Sequence, residues 1–459
     1  MPINYKFYSG FSSSDSVGKD GTYLYSENIN STNPEYIQVS PKTQTLITSN
    51  EKIDYLVPMD EKDKEDFFFV KNAKILNKNN SVVYEHGASL PSNPKNKLHF
   101  VFNTTANDFI IWALGINESK TAFENVEAVS PVYNGVLYNQ KTELVFTNNK
   151  NILHFLYDSG FIFLSQSGVK KINATDFGSP TTVGGSSANI SPHNNGYKFF
   201  TRNGRVVLWN GINSSGIQDT YSIDINLFTG ANYSGVDYLF AKEGLFFLNG
   251  ILASPIAYTN NSNYIDFEKF KFAKNPKFGF LKSGKFIYSV TKTSKGFDIN
   301  ILGSSAVGSP INFSSIISKD WEDISSMIEY KDGILISYKN KNLTYGIDYF
   351  SFSNTEKNEK GYLITKEYVG SSQIELKKAK SLKFFCDKLQ TGEYLKIFAS
   401  INNGEFEEIK TLTSEDRWKN GFFEILSFNK EFHKIVFKLE LKGNFKLYDF
   451  IFLDDKIGR

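Results

Sequence analysis

The chain has a single cysteine, Cys386, among 459 residues. One thiol closes no internal disulfide and builds no cysteine-based metal site. It lies in the apolar run Leu382-Lys383-Phe384-Phe385-Cys386 and is expected to be a buried small hydrophobe. Arginine is nearly as scarce, with only Arg202, Arg205, Arg417 and Arg459. Arginine is the usual side chain for bidentate reading of phosphates and bases, so sequence-specific DNA binding is not expected. Neither sign of charge dominates: 51 Lys and Arg face 49 Asp and Glu, for a net charge of +2. That balance gives no reason to expect strong attraction to bare nucleic acid or to an acidic membrane. No apolar run approaches the roughly 20 residues that a membrane-crossing helix needs. Met1-Pro2-Ile3-Asn4-Tyr5 lacks the basic-then-apolar character of a secretory signal. A soluble product made in the cytoplasm is the expectation.

Histidine is also sparse. His86, His99, His154, His193 and His433 fall at no metal-binding spacing and beside no carboxylate cluster, so a zinc site is not expected. His154, in an apolar strand, reads as a hydrogen-bonded core residue. The run Asp60-Glu61-Lys62-Asp63-Lys64-Glu65-Asp66 mixes its signs and reads as a solvated turn rather than a calcium loop, which needs alternating oxygen ligands and a glycine. Neither a phosphate-binding glycine loop nor a nucleophile elbow occurs. The Gly10–Gly18 and Gly303–Gly308 stretches lack the strand-to-helix context such motifs require. No catalytic, cofactor-binding or metal-ligating residue is identified, no cofactor is expected, and the chain is read as a non-enzyme.

Aromatic residues are abundant, with 42 Phe and 25 Tyr. They cluster with Ile and Val in short runs, as pleated half-buried strands require. Asn, Ser and Gly sit between the runs, as turns require. The fold class expected is all-β. One pattern recurs: a polar or small residue, then glycine, then an apolar burst, led by Gly160, Gly204, Gly244, Gly284 and Gly333 at spacings of 40 to 49 residues. Asp66 before Phe67-Phe68-Phe69-Val70 and Asp108 before Phe109-Ile110-Ile111-Trp112 extend it backwards. A strand unit repeating at that period indicates propeller blades. Six or seven blades are expected, their facing surfaces filled by the Phe and Tyr clusters. A stack of separate β-sandwiches is the competing architecture.

The expected organisation is an N-terminal arm over 1–50, laid on the surface, a β-propeller over 51–355 and a C-terminal jelly-roll-like β-sandwich over 356–459. Short extended pieces of the arm, Tyr36–Val39 and Thr45–Ile47, are candidates to pair with the body or with another subunit. Residues 180–196 form a long polar loop of the kind often used for contact. The boundary is the charged stretch Ser353–Gly361. After it about eight strands follow. Among them, Val436–Leu441 alternates in part with period 2, as a half-buried strand should, and Asn402-Asn403-Gly404 signals a hairpin.

The layout resembles the tail hub, or nozzle, proteins of short-tailed bacteriophages, also called packaged-DNA stabilisation proteins. The likeness runs from Met1-Pro2-Ile3, Glu27-Asn28-Ile29-Asn30 and Ser40-Pro41-Lys42, through the propeller, to Leu395–Gly404 with Phe406 and Ile409 and the strands around Phe437 and Phe450. The resemblance implies a structural virion protein of the tail, made in the host cytoplasm. It implies a ring of copies, by analogy a hexamer, that continues the DNA exit channel below the portal and adaptor and retains the packaged genome. Implied partners are the head-to-tail adaptor, tail fibre, spike or needle proteins, and double-stranded DNA passing without sequence specificity. The rival reading is a carbohydrate-binding or glycan-cleaving propeller of a tail or cell surface. Glycoside cleavage needs two positioned carboxyl groups. A sialidase-like site needs three arginines, and the proposed ring holds only Arg202 and Arg205. Ser400–Phe406 is similar to the turn motif of that family but lies outside the ring. Trp112 and Trp209 around one cleft would favour the glycan reading; the expectation is that they pack between blades.

Overall fold

The computed structural model describes residues 22–53, 67–85 (without 73), 313–369, 376–416 and 428–456 nearly continuously, and elsewhere mainly individual strands. Every regular element among the described residues is a strand, and no described sheet closes into a barrel. The chain is all-β, as its composition implies.

The middle of the chain is a succession of short antiparallel meanders, each strand pairing with the next in sequence. The first comprises Tyr55–Leu56, Phe68–Lys71, Lys74–Asn77 and Val82–Glu85, and the second His99–Thr105, Asp108–Ile116, Phe123–Val129 and Tyr138–Asn139. The third has three strands, Leu153–Tyr157, Gly160–Ser165 and Lys170–Ile172. Two four-stranded meanders follow, Asn189–His193 to Ile217–Ser222 and Leu227–Tyr233 to Leu252–Ala257. The expected loop over 180–196 is therefore shorter than its composition suggests, because Asn189–His193 pairs with Gly196–Phe200.

A sixth meander runs Phe280–Ser283, Phe286–Thr293, Gly296–Gly303 and the first part of the long strand Phe313–Tyr330. Trp321 is the pivot of that strand, since it pairs with Phe297 on one side and with Asn340 on the other. Beyond it the same strand opens a seventh meander with Gly333–Asn340 and Tyr345–Phe350. The fourth strand of this last unit comes from the other end of the chain: Gln44–Ser49 pairs antiparallel with Tyr345–Phe350.

The glycine-led runs do not all hold the same place. Those after Gly160, Gly284 and Gly333 are second strands of their meanders, whereas those after Gly204 and Gly244 are third. All are interior strands with a neighbour on each side. The pattern therefore marks the turn into a doubly paired, apolar strand rather than one fixed position per unit. Gly333 shows why glycine is needed: a Cβ there would stand 2.0 Å from the Phe350 carbonyl oxygen.

The C-terminal part is two sheets around one core. One runs Ile3–Tyr5, Leu447–Lys456, Lys377–Cys386 and Phe422–Leu426, with Glu431–Phe432 also on Lys377–Cys386. The other runs Thr22–Glu27, Lys360–Thr365, Lys434–Lys442, Tyr394–Ile401 and Glu407–Thr413. Phe437 of the second meets Phe450 of the first edge-on at 5.0 Å, and Phe450 stacks on Phe384 at 4.9 Å. In Lys434–Lys442 burial alternates from Phe437 to Lys442, whereas Ile435, Val436 and Phe437 are buried in succession. The hairpin at Asn402-Asn403 forms with φ of 52° and 66°, the left-handed pair that a two-residue I′ turn requires, closed by the Gly404 N–H on the Ile401 carbonyl at 2.8 Å.

The expectation of a surface arm does not fit residues 22–49. Thr22–Glu27 lies between the long strand and Lys360–Thr365 and joins the meanders to the C-terminal sheets. Tyr23, Ile29, Ile37 and Val39 are buried in the C-terminal core with Leu363, Leu395 and Leu439. Polar spacing misleads here because the segment is short-stranded and its apolar residues fill another unit's interior. Ser353–Gly361 is likewise clasped, with Asn358 Nδ2 donating to the Pro41 carbonyl at 2.9 Å and to Ser40 Oγ at 3.0 Å.

Candidate functional site

The most specific polar construction in the described residues is the seam where the two ends of the meander series meet. Strand Gln44–Ser49 places Ile47 opposite Ile347 and Thr45 opposite Asp348. Asp348 is wholly buried. Thr45 Oγ1 donates to Asp348 Oδ1 at 2.7 Å, and Lys319 Nζ, from the long strand, pairs with Asp348 Oδ2. The same ammonium lies 5.3 Å from the Tyr338 ring centroid. Burial, and then the charge of Asp348, push the Tyr338 hydroxyl up to about 12, although the Thr45 hydrogen bond acts the other way. Gly346 makes room for that ring, since a Cβ would stand 2.5 Å from the Tyr338 hydroxyl oxygen. A buried carboxylate is tolerated only when paired and hydrogen-bonded. Asp348 therefore gives strand Gln44–Ser49 one register: a one-residue slip would take Thr45 away from it.

The chain leaves this strand and enters the first meander against the last one. Leu56 N–H donates to Ser326 Oγ at 2.7 Å, and Ser326 and Ser325 share hydrogen bonds with Ser337 Oγ at 2.8 and 2.6 Å. Around these serines Ile47, Ile53, Leu56, Phe67, Phe69 and Leu76 pack against Ile328, Tyr330, Leu335, Ile347 and Tyr349. The other face of the last meander packs on the sixth, through Tyr288, Val290, Ile299 and Ile301 against Ile324, Met327, Ile334 and Ile336. The last unit is thus sandwiched between its predecessor and the first.

At one end of this unit Asp332 collects hydroxyl donors from Tyr349, Ser351 and Ser353. Burial opposes its charge, but the Ser353, Tyr349 and Ser351 hydrogen bonds outweigh that and hold its carboxyl below the ordinary value. Burial, together with the Asp332 hydrogen bond, raises the Tyr349 hydroxyl. These bonds satisfy a turn and build no nucleophile.

Of the residues singled out from the sequence, Cys386 is buried, and its thiol is pushed up to about 12, chiefly by burial. It is the inert core residue expected. His433 is half-buried, and its backbone N–H is held by Asn402 Oδ1 at 2.9 Å. His99, His154, His193, Arg205, Trp112 and Trp209 lie in strands, but their side chains are outside the described residues, as are His86, Arg202, Arg417, Arg459 and the run 60–66. Among the described residues no three His, Cys, Asp or Glu side chains converge to hold a metal, and no helix is long and apolar enough to cross a membrane. The polar residues of this seam carry no motif. Only the extended character of Thr45-Leu46-Ile47 pointed to it.

No protein-family model matches the sequence, and no curated protein matches it either. Among solved structures, the computationally designed Ika8 protein aligns over 67% of this chain and 98% of its own at 9% identity, with a TM-score of 0.37. The AfRom2 CNH domain aligns over 68% of this chain and 100% of its own at 12% identity, with a TM-score of 0.39.

Proposed function

We propose that the chain is a non-catalytic wall protein: a seven-bladed β-propeller, closed by its own N-terminal strand, that carries a C-terminal jelly-roll-like β-sandwich. The observation that carries this reading is the mixed origin of the last meander, in which Gln44–Ser49 supplies the fourth strand. A single meander leaves apolar faces uncovered, and a circle of meanders covers each with the next. The two apolar seams of the last unit, one against the sixth meander and one against the first, are what circular packing requires. Blade count follows from the succession of seven units.

The part played by such a wall rests on the resemblance to phage tail hubs. Copies form a ring, a hexamer by analogy, that extends the DNA channel beneath portal and adaptor and retains the packaged genome. A ring needs a heterologous interface that closes on itself. A lumen of near-neutral charge lets DNA slide, whereas a strongly basic one would hold it. The woven N-terminal segment, which ties the propeller to the sandwich, suits a part loaded by internal pressure.

Mass by light scattering, on the chain alone and with a candidate adaptor ring, tests this. The expected result is a closed oligomer in the presence of the adaptor. A chain that stays monomeric in both conditions and binds glycan would overturn it in favour of the carbohydrate reading. Cleavage of polysaccharide by the purified chain would overturn its non-enzymatic character.

A further inference from the structure

A second buried charge pair lies inside the C-terminal unit. Lys377 Nζ stands 2.6 Å from Asp454 Oδ2, with the two side chains only 8% and 3% exposed. They sit on neighbouring antiparallel strands, Lys377–Cys386 and Leu447–Lys456, so their approach needs no movement of either strand. The Tyr368 hydroxyl touches both, accepting from Lys377 Nζ at 2.7 Å and donating to Asp454 Oδ2 at 2.9 Å. The surroundings are aromatic: the Tyr368 ring lies 5.6 Å from Phe452 and 6.0 Å from Phe432, and Lys377 Nζ lies 5.1 Å from the Tyr368 centroid.

From this geometry we infer that Lys377 and Asp454 condense to an intramolecular isopeptide bond, with Tyr368 as the group that assists. An amine and a carboxyl held in contact react with effective molarities that reach about 10⁵ M or more. Burial of an ion pair costs more solvation than its attraction readily returns, and a neutral amide in the same place removes that penalty. In the resting pair burial disfavours the ammonium, but its hydrogen bonds to Asp454 and Tyr368 keep it protonated, so the first step is a proton transfer. One proton passes from the ammonium to the carboxylate, directly or through the Tyr368 hydroxyl, and leaves a neutral amine and a carboxylic acid. The nitrogen lone pair then attacks Cγ of Asp454 while the Tyr368 hydroxyl donates to the oxygen that gains charge, as an oxyanion donor does. A second proton leaves the nitrogen for the departing hydroxyl, the C–O bond breaks and one water is released. Two hydrogens and one oxygen leave in total, no atom is oxidised or reduced, and no co-reactant is needed. The outgoing water has little reason to return to a site that aromatic rings line.

Intact mass spectrometry of the full, folded chain decides the matter. The expected mass is about 18 Da below that of the sequence, the loss of one water per amide. Proteolytic mapping should then yield one branched peptide joining the segments around Lys377 and Asp454. Lys377→Arg and Asp454→Asn should each change this, and Lys377→Arg should restore the uncondensed mass. Tyr368→Phe removes the assisting hydroxyl without removing the ring, and should leave an uncondensed fraction that falls with time. A natively folded chain at full sequence mass with no branched peptide overturns the proposal and leaves the three residues as a buried hydrogen-bonded ion pair.

Discussion

Asp348→Ala is the sharpest perturbation of the closing seam. The substitution removes the acceptor of Thr45 Oγ1 and the partner of Lys319. Breaking a buried pair by deleting one member costs about 3–5 kcal/mol. Lys319 is one-third exposed and regains water when released, so the lower end applies, about 3 kcal/mol. That loss falls on the junction rather than on the whole chain, because Gln44–Ser49 has no partner strand other than Tyr345–Phe350 among the described residues. Hydrogen exchange read by mass spectrometry is therefore the assay. Opening of residues 44–49 and 345–350 should become roughly 100-fold more frequent, the equivalent of about 3 kcal/mol, while Lys434–Lys442 in the C-terminal core stays protected. Thr45→Val alone should cost about 1.5–3 kcal/mol as a lost hydrogen bond to a charged acceptor. In the double variant the two effects should fall short of their sum by 1 kcal/mol or more. Additivity within about 0.5 kcal/mol, or an exchange increase spread evenly over both parts of the chain, would refute the argument that this carboxylate fixes the closing strand.

Other consequences are as direct. Asn403→Val should lower stability by about 1–2 kcal/mol in urea unfolding, since φ is 66° there and a β-branched residue is poorly suited to the left-handed region; Asn403→Gly should not. Asp332 has a lowered folded-state pKa, so its contribution is present above its ordinary value near 3.8 and is lost as pH falls through the folded value. Asp332→Asn should therefore destabilise at pH 7, and the gap to the parent chain should narrow towards pH 3. Cys386 should resist thiol reagents at pH 8 in the folded chain and react fully in denaturant, because burial removes both access and thiolate.

The parts of this fold that were legible in the sequence are those set by neighbours along the chain. Alternation at Val436–Leu441 and the Asn402-Asn403-Gly404 turn depend on local backbone preference, and both appear as read. Cys386 was legible because its run is apolar apart from Lys383. The glycine-led runs were legible as strands, but they mark interior strands in general, and the second and third places of a meander are chemically alike. What could not be read is what depends on partners well separated along the chain, from 29 residues for Lys319 and Asp348 to 303 for Thr45 and Asp348. Tyr23 and Ile37 look like scattered apolar residues in a polar segment, and only the distant sheets explain their burial. Asp348 and Asp454 look like solvent-facing acids at strand positions. Their burial depends on Lys319 and Thr45 in one case and on Lys377 and Tyr368 in the other, and no local spacing records such partners.

Circular closure of the sheets is tested most directly by an experimental density map of the full chain. It should show seven antiparallel sheets arranged about one axis, with Gln44–Ser49 hydrogen-bonded to Tyr345–Phe350 and the first sheet seated on the last. A map in which the sheets stack as independent sandwiches, or in which residues 44–49 pair elsewhere, would contradict it.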